Sequence, residues 1–149
     1  MTEKRYSTIL LAVDFTDSSQ SVIAVGQDLA ERYSAELHIV YVNEPFPTAY
    51  AADGMGWNSN IYSLEAEILE ADKKRLSQLA LDLGITEANC HFLKGRPASQ
   101  IHELSAQLDV DLIVIGTHGQ AGLQLLLGST ASSVLHGASC DVLAVRIKE

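Results

Sequence analysis

Asp111-Leu-Ile-Val-Ile115 runs into Gly116-Thr-His-Gly119-Gln-Ala-Gly122-Leu-Gln-Leu-Leu-Leu-Gly128-Ser-Thr130, and this stretch decides the fold. An apolar run of strand length with no polar alternation is a strand buried on both faces. It ends in a Gly-rich loop, and the Gly-Ser-Thr that closes the loop opens a short helix ending near Gly137. A second short run, Asp141-Val-Leu-Ala-Val145, follows. Strand, loop, helix and strand in that order form a parallel unit with its helix lying on the sheet.

The same alternation extends back to the N-terminus. Residues 7–13, Ser-Thr-Ile-Leu-Leu-Ala-Val, are nearly continuous apolar sequence and predict the first strand. A polar turn at residues 14–19 leads into a helix with Val22, Val25, Leu29 and Tyr33 on one face, and Thr16 or Asp17 can cap it. Residues 36–42 predict the second strand. Residues 43–61 carry two prolines and two glycines and predict a long loop, with Tyr50, Met55 and Trp57 as a cover for the sheet edge or a partner-binding patch. A helix over residues 62–83 has Leu64, Ile68, Ala71, Leu76, Leu79 and Leu83 as its stripe and Gly84 as its stop. Residues 88–93 predict the third strand, and Pro97 suits the first position of a helix that turns Ile101, Leu104 and Leu108 inward. One α/β domain spans residues 1–149. It is a doubly wound five-stranded parallel sheet, order 3-2-1-4-5, with helices on both faces. Ligands bind such sheets where the winding reverses, here between the ends of strands one and four, at Asp14 and Gly116.

Composition narrows the function. The net charge is −9, which argues against nucleic acid as a partner, since phosphate neutralisation dominates that affinity. No apolar run is long enough for a membrane span or a signal-peptide core, so no membrane insertion is expected. Two cysteines, Cys90 and Cys140, are too few for a disulfide framework and read as buried free thiols in a reducing cytoplasm. No Lys or Arg occurs from Pro97 to Val145. A phosphate held by the Gly-rich loop therefore depends on backbone N–H groups, a helix N-terminus or a metal ion.

Neither a Gly-Lys-Ser/Thr ending nor a glycine in the first turn is present, which excludes the P-loop and the dinucleotide fingerprint. The combination of Val13-Asp14, Gly116-Thr-His-Gly119, Gly128-Ser129, Gly95-Arg-Pro97 and the ending Ala138 to Val145 resembles the universal stress protein family. Its nucleotide-binding members carry Gly-x2-Gly-x9-Gly-Ser/Thr after strand four. Here eight residues, not nine, separate Gly119 from Gly128.

The resemblance implies an adenine nucleotide alpha hydrolase-like fold and a regulatory, stress-response protein that binds ATP with Mg²⁺ or Mn²⁺. Asp14 then contacts the ribose or the metal region, the backbone of Val42 meets the adenine, and Ala12 lines the adenine pocket. Gly116, Gly119, Gly128, Ser129 and Thr130 hold the phosphates. His118, between two glycines, touches a phosphate, acts in proton transfer or is an exposed loop histidine with no role. The resemblance also implies a homodimer through the last strand, Val142 to Val145, an edge whose backbone groups need cover.

Plainer readings stand beside these. Asp14 can simply start the turn before the first helix, and the loop can be only a connection. His38 and His91 read as sheet residues, His102 and His136 as surface helix residues, and Asp72-Lys-Lys-Arg75 as a solvated helix face. No catalytic constellation is visible, so no enzyme is predicted beyond slow hydrolysis of bound ATP. The alternative function is a nucleotide-free homodimeric interaction protein of the same fold.

Overall fold

The computed structural model describes residues 5–17, 19–45, 59–117 and 128–147, with the backbone alone for residues 59–62. Within them the chain alternates through β1 (Thr8–Ala12), α1 (Ser19–Tyr33), β2 (Glu36–Asn43), α2 (Ser59–Asp82), β3 (Cys90–Lys94), α3 (Pro97–Gln107), β4 (Leu112–Gly116), α4 (Ser129–Gly137) and β5 (Asp141–Val145). Every pairing is parallel, and the sheet order is β3-β2-β1-β4-β5. The expected doubly wound topology is therefore the observed one.

Strand periodicity divides the core in two. Ile9 and Leu11 of β1 pack with Val22 of α1 and Leu76 of α2, while Leu10 and Ile113 pack on the other face with Ile101 and Leu104 of α3 and Val134 of α4. Ile9, Leu10, Leu11 and Ile113 are fully buried. Each such side chain stabilises the fold by about 1.5–3 kcal/mol. Burial on both faces is why β1 and β4 read as unbroken apolar runs.

Several boundaries and faces differ from the sequence expectation. α2 begins at Ser59, three residues before the predicted start. Its buried line is Asp72, Leu76 and Ala80, whereas Leu64 is 52% exposed and Ile68 39% exposed. Each step of four residues overshoots a full turn by about 40°, so after Ala80, Leu76 and Asp72 the buried face passes to Leu69 and Glu65, both partly buried, rather than to Ile68 and Leu64. Residues 87–89 form a 3₁₀ turn, so β3 starts at Cys90. Gly84 ends α2 as expected: its φ is +71° and Ile85 N–H bonds back to the carbonyl of Ala80 at 2.8 Å. Cys90 and Cys140 are free but only half-buried, and burial raises both thiol pKa values.

Candidate functional site at the strand switch point

β1 stops where its sequence turns polar. Val13 N–H still bonds to the carbonyl of Val40 at 3.0 Å, and then the chain turns through Asp14, Phe15 and Thr16. Asp14 Oδ1 accepts the Thr16 N–H at 3.0 Å and the Thr16 hydroxyl at 2.6 Å, an Asx turn closed by its own carboxylate. Ser19 in turn donates its N–H (3.0 Å) and hydroxyl (2.7 Å) to the carbonyl of Thr16. The plain reading of Asp14 as a turn former is thus correct. It uses Oδ1 only, and among the described residues Oδ2 has no hydrogen bond.

Phe15 sits at φ 62°. That left-handed backbone costs an aromatic residue about 1–3 kcal/mol and persists only where the surroundings hold it. Its ring stacks on Tyr41 at 4.3 Å. Tyr41 donates its hydroxyl to Asp72 Oδ2 at 3.2 Å, and burial, followed by the Asp72 charge, pushes the phenol up to about 12. The phenol therefore keeps its proton at any physiological pH. The Arg75 guanidinium lies 4.7 Å from the Phe15 ring centroid, donates to the Phe15 carbonyl at 3.3 Å and stands 4.0 Å from Asp72 Oδ1. Lys73, Lys74 and Arg75 are exposed, as expected of a solvated face, but Asp72 departs from that reading at 9% exposure.

Strand register sets the level of each site residue. Ala12 pairs with Val40 on β2, and Leu11 pairs with Val114 on β4. Continuing both registers along the chain brings Asp14 level with Val42 on one side and Thr117 on the other. The carbonyl of Val40 points toward β1, and that of Asn43 toward β3, where it accepts Gly95 N–H at 3.0 Å. Backbone groups alternate along a strand, so the N–H and C=O of Val42 face the β1 side, past the place where β1 has turned away. Among the described residues, the turn after β1 makes no backbone bond to that side of Val42. Ala12 and Val42 lie on the same face of the sheet, beside the core shared with α3 and α4.

The end of β4 is anchored from three directions. Thr117 N–H bonds to the carbonyl of Val145 at 2.9 Å, the Thr117 hydroxyl accepts Ile147 N–H at 3.2 Å, and the Thr117 carbonyl accepts Gly128 N–H at 2.6 Å. The last bond brings the chain back to its point of departure just before α4. Gly128 is the N-cap of α4 and supplies no capping side chain. Ser129 is exposed and Thr130 half-buried in the first turn. Gly128 thus caps none of the first N–H groups of α4, and the positive dipole end of the helix lies beside Thr117, a setting that favours an anion. Gly116 has a packing reason to lack a side chain, because a Cβ there would lie 2.6 Å from Ile147 Cδ1 and 3.2 Å from Val22 Cγ2.

Asp14, Val42, Ala12, Gly116, Gly128, Ser129 and Thr130 all belong to the carboxyl ends of β1, β2 and β4 or to the start of α4. His118, Gly119 and the leucines at 123–127 lie outside the described residues, as do Tyr50, Met55 and Trp57. Sequence reading missed Phe15, Tyr41, Asp72 and Arg75. Its usable signal was the spacing of Asp72 to Leu76 and Ala80 on one helical face.

The histidines divide. His38 and His91 are sheet residues as expected, with His38 Nδ1 and His91 Nε2 3.0 Å apart and Glu36 Oε1 3.3 Å from His38 Nε2. Burial, then the neighbouring His38, lowers the His91 pKa. His102 is half-buried and not a simple surface residue: its Nε2–H donates to the carbonyl of Val134 at 2.9 Å, and its ring fills the space above Gly137. It ties α3 to α4.

Comparison with known proteins adds to this geometry. The model of the universal stress protein family matches residues 5–146. Universal stress protein A homolog 1 of Coxiella burnetii is 40% identical over 145 residues, spanning 97% of this chain and 99% of its own. The structure of universal stress protein UspA from Lactobacillus plantarum superposes with a TM-score of 0.71 at 27% identity, over 97% of this chain and 99% of its own. A universal stress protein solved in complex with cAMP superposes with a TM-score of 0.60 at 26% identity, over the same 97% and 99%.

Proposed function

The chain belongs to the universal stress protein family, and from that premise we propose that it binds ATP at the switch point and acts as a nucleotide-dependent regulatory switch in a stress response. The observation that carries this reading is the shared level of Asp14, Val42 and Thr117, with the uncapped start of α4 returning beside it. An adenine edge needs one donor and one acceptor side by side, and the outward N–H and C=O of Val42 supply them. Ala12 gives the base a small neighbour. Asp14 Oδ2 accepts from the ribose hydroxyls while Oδ1 stays committed to the turn. The backbone of Gly116 and Gly119 and the first turn of α4, with His118, Ser129 and Thr130, receive the phosphates, while Gly128, its N–H given to the Thr117 carbonyl, serves by letting the backbone approach closely. The cAMP complex of one family member is support from the same nucleotide class.

Mg²⁺ or Mn²⁺ would neutralise phosphate charge that this basic-poor region leaves uncompensated. Among the described residues no three His, Cys, Asp or Glu side chains gather at one point. The ion would lean on phosphate oxygens, with the Asp14 carboxylate and the Ser129 hydroxyl as protein oxygens of the right chemistry. Nothing in this assignment needs a catalytic base, and the role is binding rather than turnover. Among the described residues no helix is long and apolar enough to cross a membrane. A cytoplasmic location is part of the proposal, supported by the free thiols of Cys90 and Cys140.

Denaturing the purified protein and identifying released nucleotide by chromatography tests the reading, followed by calorimetric titration of stripped protein with Mg-ATP. ATP released near one per chain, or micromolar binding that Asp14→Ala weakens about tenfold, is the expected result, the loss matching one hydrogen bond to a charged group. No nucleotide and no heat up to millimolar ATP would refute it. The second reading, a nucleotide-free homodimer, draws on the loop that is one residue short and on β5. That strand is the sheet edge with Leu143 37% exposed. It predicts an empty protein that is nonetheless two chains in solution.

A further inference from the structure

The turn that carries Asp14 is held by a closed ring of side chains from three elements. Phe15, at φ 62°, stacks on Tyr41 of β2. Tyr41 donates to Asp72 of α2, and Asp72 faces Arg75 one turn further along the same helix. Arg75 closes the ring by covering the Phe15 ring and donating to the Phe15 carbonyl. No other described side chain donates a hydrogen bond to the backbone of this left-handed residue.

Two features set this apart from ordinary helix-on-sheet packing. A carboxylate as buried as Asp72 is expensive to keep unless it has partners. Here its partners are the two side chains, Tyr41 and Arg75, that touch Phe15. Arg75, by contrast, is well exposed. At 4.0 Å from Asp72 and with its guanidinium in solvent, Arg75 makes only a weak ion pair and contributes little to global stability, while Tyr41 keeps Asp72 hydrogen-bonded. The geometry of Arg75 is spent instead on one carbonyl and one ring, both belonging to the strained residue beside Asp14.

We propose that Arg75, braced by Asp72 and Tyr41, is a positioning residue that locks the turn at residues 14–16 and so fixes the direction of Asp14 Oδ2 toward bound nucleotide. This rests on the nucleotide reading for its functional half only. Releasing the Phe15 carbonyl lets the backbone relax toward negative φ. The Thr16 N–H then leaves Asp14 Oδ1, and the carboxylate is free to rotate. The clamp also makes α2 part of the site although no residue of α2 need touch the ligand.

The test uses the full chain as wild type, Arg75→Ala, Arg75→Lys, Tyr41→Phe, Asp14→Ala and the double variant Asp14→Ala/Arg75→Ala. In nucleotide-free protein, exchange of the Thr16 amide followed by NMR should quicken roughly tenfold in Arg75→Ala, with the urea midpoint nearly unmoved, since only a local opening is eased. Lysine keeps the charge but cannot span carbonyl and carboxylate, so Arg75→Lys should behave like alanine. Tyr41→Phe keeps the stack, removes one brace and should fall between. Calorimetry with Mg-ATP should show roughly fivefold weaker binding for Arg75→Ala, and no further loss when Asp14 is already alanine, because the two act as one unit. Unchanged Thr16 exchange overturns the clamp whatever the ligand does. Faster exchange with an affinity loss that persists in the Asp14→Ala background overturns action through Asp14. Faster exchange in a protein whose wild type binds no ATP leaves the clamp standing as a brace of the turn and removes the nucleotide reading instead.

Discussion

Gly116→Ala separates packing from ligand binding at the residue where the two readings overlap. The backbone φ of Gly116 is not in the left-handed region, so alanine brings no conformational penalty and its effect is steric. The new methyl would lie 2.6 Å from Ile147 Cδ1, 3.2 Å from Val22 Cγ2 and 3.4 Å from Ile147 Cγ1. Both neighbours are buried, Val22 at 2% and Ile147 at 6% exposure, so neither side chain has open solvent to swing into. Overpacking of this kind costs about 2 kcal/mol, a fall in Tm of roughly 4–8 °C for a chain of this length.

The atom in closest conflict is Cδ1, the one that Ile147→Val removes. Alone, Ile147→Val should cost about 0.5–1.5 kcal/mol through lost packing. Combined with Gly116→Ala it should restore stability, so the two changes couple with opposite sign. Urea denaturation of the four proteins measures that coupling directly. Strict additivity would refute the packing argument. Mg-ATP calorimetry on the repaired double variant then asks whether the glycine also matters to the ligand.

Two further outcomes follow from the sheet edges. His91 has its pKa lowered below the ordinary 6.5, first by burial and then by His38. The unfolded chain therefore binds the proton more readily, and stability falls as pH drops through 6.5 toward the folded value. Urea midpoints measured from pH 7.5 to 5 should show this decline, and His91→Gln should flatten it; an equal slope in the variant would assign the decline elsewhere. At the opposite edge, Leu143→Arg places a charge on the exposed side of β5. Light scattering should give two chains per particle for the wild type and one for the variant, whereas a monomeric wild type would remove the proposed dimer.

Topology was legible in the sequence because it rests on burial, and burial writes itself as composition. Ile9 to Leu11 and Leu112 to Ile115 are apolar without alternation because helices cover both faces of those strands. Helix faces were less legible. The first half of α2 carries Leu64 and Ile68 on an exposed side, while the buried line passes through a carboxylate, Asp72. A hydrophobic stripe predicts a buried charge only if the partners are known, and Tyr41 and Arg75 come from pairings that sequence spacing does not encode. The level of Asp14 with Val42 and Thr117 likewise depends on register, which one chain read alone leaves open. The half-buried His102 was misplaced for the same reason, since its partner carbonyl belongs to another helix.

The bond between Gly128 N–H and the Thr117 carbonyl has a consequence for how such a domain can diverge. It ties Thr117, already bonded to Val145 and Ile147, directly to Gly128, so the chain on either side of residues 118–127 is fixed. Changing the length of a segment closed in this way by one residue alters its closure entropy by only about 0.1 kcal/mol. A difference of one residue in that spacing is therefore expected to show in ligand binding and not in the stability of the sheet. With Thr117 and Gly128 as a fixed socket, grafting a nine-residue spacing between Gly119 and Gly128 should change what is bound while the melting curve stays where it was.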